Sequence, residues 1–541
     1  MPARAHMLAR AVSRAHAASS AIGLTALLCA LAACAQAADG AARSPASGAS
    51  GSPASLVVSI GTAHTGAVIP PSFLGLSLET TALAAPAVVS SAPSLSRLMR
   101  ELGPGMLRIS GVSVDRTQWM PAPAQAAPWR VASVSPGDLR NLMSLMSASG
   151  WRLLLGLDLG HLVATALVEE ARAATAILGR SLAGVEIGNE PDLYTRSPSA
   201  PFRLLLGDAA LRPPEWGLSQ YENEISGLRA ALAFAGVAAP LYGPDTARLA
   251  WLESYAEKQG HGLAALAQHI YPLDRCYRGR LLRTGPSLTS LLSRRTARRE
   301  SRLIAAVMRV ARGHGLPLRI GEANSVSCAG QVDTSDTFGA ALWAVDFSLI
   351  AARAHVGGIN FHGGLGSCLT GGTITSPWYS PLCTMPSGRL RVRPEYYALL
   401  LLRSLEGCAF VSVDYRTSRN ISVYALRAPD GSLRVVIDDM EPGGPRRPRG
   451  GHAFAPAAVV LRVARSYARG SVERLTAHDI GAKGGVSFGG ASVAADGSFA
   501  GTVPEALTGA NGSFVVAVRP ASVAVVTLSA GATGARTARE R

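Results

Sequence analysis

The sequence predicts an α/β chain: a (β/α)8 TIM barrel with a C-terminal β-sandwich domain. Three observations point there. Between residues 70 and 400, eight short β-rich runs alternate with helix-length segments. Most of those runs end in a polar or acidic residue. Beyond about residue 405 the helical period vanishes and only short strand-like runs remain. Strand alternating with helix implies a parallel sheet, and eight such units imply closure into a barrel.

The eight runs are 73–79 (FLGLSLE), 106–111 (MLRISG), 152–160 (RLLLGLDLG), 185–190 (VEIGNE), 240–245 (PLYGPD), 267–272 (AQHIYP), 318–324 (LRIGEAN) and 357–364 (GGINFHGG). Segments 95–102, 138–149, 164–178, 221–235 and 302–312 carry apolar residues at helical spacing. The runs close on Glu79, Asp158, Glu190, Asp245, His269, Glu322 and His362. In a barrel of this kind the C-terminal strand ends face the active site, which lifts these residues above ordinary surface charge.

After the barrel (71–403), the runs 421–427, 433–438, 457–463, 471–476, 498–503, 514–518 and 522–528 are separated by turns such as Pro429-Asp430-Gly431 and Asp496-Gly497. They read as a sandwich over 404–530, joined by an early strand within 55–70. Residues 531–541 read as a disordered tail. At the other end, Arg4, Arg10 and Arg14 precede the apolar stretch 21–33, the layout of a signal peptide over 1–37. Two cleavage patterns stay open. Ala35-Gln36-Ala37 suits an ordinary signal peptidase, and Leu31-Ala32-Ala33-Cys34 suits a lipoprotein signal with Cys34 acylated. Residues 38–54 then form a flexible linker. The chain is expected to be exported: secreted, periplasmic or lipid-anchored to a bacterial envelope.

Composition narrows the classes further. Hydrophobic residues make up 48% of the chain, which excludes a disordered protein. Net charge is +16, and only Lys258 and Lys483 are lysines, so arginine supplies nearly all of the positive charge. No CxxC pair occurs among Cys276, Cys328, Cys368, Cys383 and Cys408, so a zinc site is not expected. No recognised nucleic-acid motif or aromatic interleaving accompanies the arginines.

Two glutamates carry the chemistry. Glu190 lies in Ile187-Gly188-Asn189-Glu190-Pro191-Asp192 and Glu322 in Gly321-Glu322-Ala323-Asn324-Ser325, each ending an apolar run. As the ends of strands four and seven they would face each other across the barrel mouth. Glycoside cleavage with retention needs one carboxylic acid to protonate the leaving oxygen and one carboxylate to attack the anomeric carbon. These two motifs resemble glycoside hydrolase family 79, which contains β-glucuronidases and heparanase-like enzymes. Further pieces match in order: Phe73 to Glu79, Leu107 to Gly111, Asp115-Arg116-Thr117, Gln268 to Pro272, Ser335 to Phe338, Asn360 to Gly364 and Pro394 to Tyr397. The resemblance spans roughly residues 55–530.

By that resemblance Glu190 is the acid/base, Glu322 the nucleophile, Tyr271 the donor that orients Glu322, and Asn189 the ligand of the sugar 2-hydroxyl. Glu79, Asp115 and His362 would grip other ring hydroxyls, or else serve as hydrogen bonds of the barrel rim. Tyr379 is the candidate for the uronate carboxylate. The chain departs from the family at Ser110-Gly111-Val112, where Gly-Gly-Asn is usual, and at Asp158, where Asn is usual. Nine arginines between Arg275 and Arg302 are expected either beside the cleft, where a polyanionic polysaccharide would run, or on a solvated helix face. Cys276 and Cys328 follow neighbouring strands six and seven, and Cys368 and Cys383 bracket the loop after strand eight. Both pairs are candidate disulfides, leaving Cys408 as the odd thiol. The expected function is an exported retaining hydrolase of β-D-glucuronide linkages, acting as a monomer on a uronate-containing glycan or glucuronide, with no cofactor, no metal and no membrane contact beyond a lipid anchor. A barrel glycosidase for a neutral sugar and a non-catalytic surface polysaccharide-binding protein are the alternatives.

Overall fold

A computed structural model describes residues 55–89, 93–276, 286–442 and 454–530. The expected signal segment, linker, Cys34 and C-terminal tail lie outside the described residues, as do Arg278, Arg280 and Arg283.

Eight parallel strands close a barrel in chain order: β1 (Leu74–Glu79), β2 (Met106–Ser110), β3 (Arg152–Leu157), β4 (Leu182–Ile187), β5 (Leu241–Thr246), β6 (Leu263–Ile270), β7 (Leu318–Ala323) and β8 (Ile359–Gly363), with β8 pairing back onto β1. Nearly every residue of these strands is buried. Helices cover the outer face and side chains fill the interior, so the strands read as continuous apolar runs rather than alternating ones. The lower interior is plugged by Arg319, whose Nε donates to Asn360 Oδ1 at 2.5 Å, while Asn360 Nδ2 donates to the Leu76 and Met106 carbonyls.

The outer ring is α1 (Pro93–Glu101), α2 (Pro136–Ser149), α3 (Ala164–Leu178), α4 (Leu218–Phe234), α5 (Leu249–Gln259), α6 (Arg294–Gly313), α7 (Phe338–Arg353) and α8 (Pro394–Arg403). In α6 the buried residues Thr296, Glu300, Ile304, Val307, Met308 and Ala311 fall on one helical stripe, and Arg295, Arg298, Arg299 and Arg302 stand on the exposed side. In α7 every residue from Phe338 to Ala352 is buried, with no polar face. The barrel covers one side of it and the second unit covers the other.

That second unit corrects the expected two-sheet sandwich. Its strands form one sheet whose order runs Tyr467–Thr476, Glu505–Ala510, Ser513–Val518, Ala457–Arg462, Leu56–Val68, Ala409–Tyr415, Ile421–Arg427, Leu433–Asp439 and Ser522–Ala530, then back to Tyr467–Thr476. Nine strands thus close a ring, with Ser487–Phe488 attached at one side. All its pairings are antiparallel except Leu56–Val68 beside Ala457–Arg462. The expected strand at 498–503 is not one; the chain pairs instead over Glu505–Ala510. That segment is exposed except at the half-buried Leu507, so it lacked the alternating apolar signature of a strand.

Successive residues of the central strands serve two cores. Val423, Ala425, Val435 and Ile437 pack inside the ring, whereas Tyr424, Leu426 and Val436 join the barrel core. At that junction the buried Tyr424 hydroxyl donates to Asp346 Oδ1 of α7 at 2.7 Å. Removing the hydroxyl leaves a desolvated carboxyl short of a donor, so Tyr424→Phe is expected to cost about 1–3 kcal/mol. A urea transition whose midpoint does not move would show that the bond contributes nothing.

Candidate active site

A cavity of about 360 Å³ opens at the C-terminal end of the barrel strands. Its floor is built from strand ends and the turns that follow them, and its rim from the longer loops after β4, β6, β7 and β8. Two disulfides, Cys276–Cys328 and Cys368–Cys383, tie the β6 loop to the β7 loop and close the β8 loop on itself. Cys408 is free and buried.

The turn after β4 is set by local conformation. Gly188 has φ +79°, and a Cβ there would lie 2.5 Å from the Tyr194 hydroxyl, so only glycine fits. Glu190 itself has φ +49°, an uncommon value for a residue with a side chain. The conformation is held from outside: the Glu190 N–H donates to the Asp245 carbonyl at 2.8 Å, and the Asn189 N–H donates to Asp115 Oδ2 at 3.1 Å. Backbone strain of this kind persists where neighbours over-determine it, and here it aims Glu190 into the cavity.

One carboxylate oxygen of Glu190, one of Glu322 and a ring nitrogen of His269 lie within 4.8 Å of one another. Glu322 is held from two sides. Tyr271 donates its hydroxyl to Oε1 at 2.7 Å and Arg108 donates Nη1 to Oε2 at 3.0 Å. Arg108 lies fully buried beneath the site. It also donates Nε to Glu186 Oε2 at 2.7 Å, Nη1 to Ser77 Oγ at 3.0 Å and Nη2 to Asn189 Oδ1 at 2.9 Å, and stands 3.5 Å from Asp245 Oδ2. With Asn189 Oδ1 taken up in this way, its buried Nδ2 has no protein hydrogen-bond partner.

These neighbours drive the two carboxyls apart. Burial pushes Glu322 upward, but His362, His269, Arg108 and the Tyr271 hydrogen bond outweigh it and bring its pKa down to about 2. Burial raises Glu190, and the charge of Glu322 adds to that, against the opposing pull of His269. His269 touches Glu190 Oε1 through Nδ1 at 3.2 Å and Asp245 Oδ1 through Nε2 at 3.1 Å. Burial would neutralise its ring, yet Glu322, Asp245 and Glu190 raise its pKa to about 10, so it is cationic at neutral pH. Glu190, His269 and Glu322 form the one cluster among the described residues with donors spaced for a metal ion. The Arg108 guanidinium within 3.0 Å of Glu322 already supplies fixed positive charge, which opposes a second cation there.

Among the residues singled out in the sequence, Glu79, Asp115, Asn189, Glu190, Tyr271, Glu322, His362 and Tyr379 all line this cavity. Their contacts differ in kind. Glu79 Oε2 accepts from the Ser113 N–H and hydroxyl, leaving Oε1 3.5 Å from His362 Nε2. Asp115 accepts from Leu159 N–H, Asn189 N–H and the Tyr194 hydroxyl, which makes it a brace for the β4 turn. The Tyr379 ring packs 6.0 Å from Tyr271 and 5.8 Å from His362. Asp158 and Asp245 do not line the cavity, and neither does any described arginine between Arg275 and Arg302. Arg275 donates instead to the Gly330 carbonyl, while Arg294 and Arg298 border a separate hollow against the second unit. Of the two placements expected for these arginines, the described ones on α6 follow the solvated helix face, because its apolar stripe faces the barrel; Arg299 and Arg302 also line a small hollow that shares Ile270, Tyr271 and Leu303 with the cavity.

Arg108, Glu186 and His269 were not assigned roles from sequence, although the signal was present. A charge inside the run MLRIS, and another inside VEI, has to be buried, and buried charges need partners. Arg108→Met leaves Glu186, Asp245 and Glu322 without their common cation. It is expected to cost about 3–5 kcal/mol of stability and to raise the pKa of Glu322. The acid limb of any Glu322-dependent activity should then move to higher pH, and an unmoved limb with normal stability would contradict the role given to Arg108.

No family model matches the chain. In sequence it is 28% identical over 217 residues to a β-glucuronidase of Neurospora crassa and 28% identical over 212 residues to one of Aspergillus niger. Each alignment covers 36% of this chain, and the chain spans about a third of the length of these curated relatives (35% and 36%). In structure it superimposes on a 4-O-α-L-rhamnosyl-β-D-glucuronidase from Fusarium oxysporum with TM-score 0.69 and 18% identity, over 87% of this chain and 100% of that one. A GH51 arabinofuranosidase from Xanthomonas axonopodis pv. citri follows the same fold with TM-score 0.60 and 13% identity, over 88% of this chain and 100% of that one. The chain is thus glucuronidase-like in sequence and has the fold of barrel glycoside hydrolases.

Proposed function

We propose that this protein is an exported β-glucuronidase of the glycoside hydrolase family 79 type, working with retention of configuration. The observation that carries the reading is the spacing of the two carboxyls. One oxygen of Glu190 lies within 4.8 Å of one of Glu322, which favours the roughly 5–5.5 Å separation of retaining enzymes over the 6.5–9.5 Å of inverting ones. The ionisation pattern supports the same assignment: a raised Glu190 keeps its proton for the leaving oxygen, and a lowered Glu322 stays anionic.

The cycle follows. Glu190 transfers its proton to the glycosidic oxygen as Glu322 attacks the anomeric carbon, forming a glycosyl-enzyme ester and releasing the alcohol. Glu190, now anionic, takes a proton from water, whose oxygen displaces Glu322 and frees the sugar. Tyr271 and Arg108 hold Glu322 in line throughout. Asn189 Nδ2 is the donor for the 2-hydroxyl, and Glu79 with His362 faces the remaining hydroxyls. Tyr379, on the cavity wall beside His362, is the residue we assign to the uronate carboxylate. The β-glucuronidase names of the sequence relatives support a glucuronide as substrate, and the signal-like N-terminus supports export.

Three outcomes follow for hydrolysis of a chromogenic β-glucuronide. Proton NMR of the first-formed sugar should show the β-anomer; an α-anomer would overturn the double displacement. Glu190→Gln should lower kcat/KM by about 10²–10⁴-fold and abolish the alkaline limb of the pH profile. That limb reports loss of the Glu190 proton as pH rises, whereas the acid limb reports protonation of Glu322 as pH falls toward 2. Turnover of the glucoside equal to that of the glucuronide would remove the uronate assignment and leave a neutral-sugar glycosidase.

A further inference from the structure

The loop between β4 and α4 forms a wall of the cavity that the cycle above does not use. Leu193, Pro198, Phe202, Leu206 and Leu211 line the cavity from this loop, and Ile374 joins them from the β8 loop. The sugar side of the same cavity is lined by Glu79, Asn189, Glu322 and His362. The loop contributes mainly apolar side chains to the cavity, and the strand ends contribute mainly polar ones. The acid must reach the leaving oxygen, so the leaving group lies against the loop that follows Glu190 in the chain, and that loop is the apolar wall.

From this geometry we infer that the leaving group the site selects is an apolar aglycone, an aryl or alkyl alcohol, rather than another sugar of a polysaccharide. The inference rests on the glucuronidase reading for the identity of the sugar. A sugar at this position would lose water from its hydroxyls against carbon, with Arg196 and Ser197 the nearest polar groups of the loop. An apolar group would gain from the same contact, up to about fourfold in affinity per methylene buried. The wall is built to hold its shape. The N–H groups of Leu211 and Arg212 donate to the Tyr194 carbonyl at 2.9 and 3.0 Å, and the Tyr194 hydroxyl is fixed on Asp115 at 2.5 Å. Arg212 donates to the Leu159 carbonyl at 2.7 Å and lies 5.4 Å from the Trp216 ring centre.

Methyl, butyl and octyl β-D-glucuronides test this, because their leaving alcohols have nearly equal acidity and differ in apolar area. In the full-length protein KM should fall at least tenfold from methyl to octyl with little change in kcat, the signature of binding energy shared by ground and transition states. Phe202→Ser, and independently Ile374→Ser from the opposite loop, should collapse the octyl-to-methyl ratio of kcat/KM at least threefold. Equal KM values across the series, or a glucuronate-terminated disaccharide cleaved more efficiently than the octyl glucuronide, would overturn the inference. The matching β-glucosides are run in parallel. If only they are cleaved, the uronate reading falls, and their own chain-length gradient still decides the wall. Binding of octyl against methyl thio-β-D-glucuronide by calorimetry reads the same preference without turnover, and equal affinities there would also overturn it.

Discussion

Arg108 stands beneath the two glutamates with no surface open to water and three carboxylates around it. A guanidinium in that position has to be fully paired, because an isolated buried charge would cost far more than the fold can supply. Its rigid fork distributes the pairing: Nε to Glu186, one terminal nitrogen to Glu322 and Ser77, the other to Asn189 and toward Asp245. Strands β1, β2, β4, β5 and β7 are thereby locked to one another at the depth of the cavity floor. Glu322, Asn189 and the barrel register are all fixed by one side chain.

The difference between the two glutamates arises from what stands next to each. Glu322 sits on a strand, among His362, His269, Arg108 and Tyr271, and its anion is stabilised despite burial. Glu190 sits one turn beyond its strand in a left-handed conformation, with only His269 to favour its charge, and burial dominates. Chemically identical residues are thus shifted in opposite directions in one small cavity. His269 couples them, since one ring nitrogen faces Glu190 and the other faces Asp245, so a proton leaving Glu190 does so beside a cation.

The second unit supports this arrangement from a distance. Its closed sheet presents alternate residues to its own interior and to the barrel, and α7 is buried between the two. α7 follows the loop that carries Asn324 and the β7 side of the rim. Covering it on both sides removes any solvent-facing surface along which the β7 segment could shift.

The sequence by itself determined the barrel, the order of its strands and the two carboxyls. Those features are written locally, in apolar runs of strand length, helical spacing between them, and polar residues where the runs stop. It did not determine that the later strands close one ring, because pairing of strands far apart in the chain depends on partners and not on the strand's own pattern. The exposed strand Glu505–Ala510 has no apolar face to announce it, and α7 has no polar face to give it a helical period. Nor could the chain order decide between a sugar contact and a rim hydrogen bond for Asp115, between cleft and solvated face for the arginines of α6, or reveal that Arg108 gathers three acids. Those outcomes are decided by which side chains the closed barrel brings within about 3 Å of one another, and that distance exists only after β8 has paired with β1.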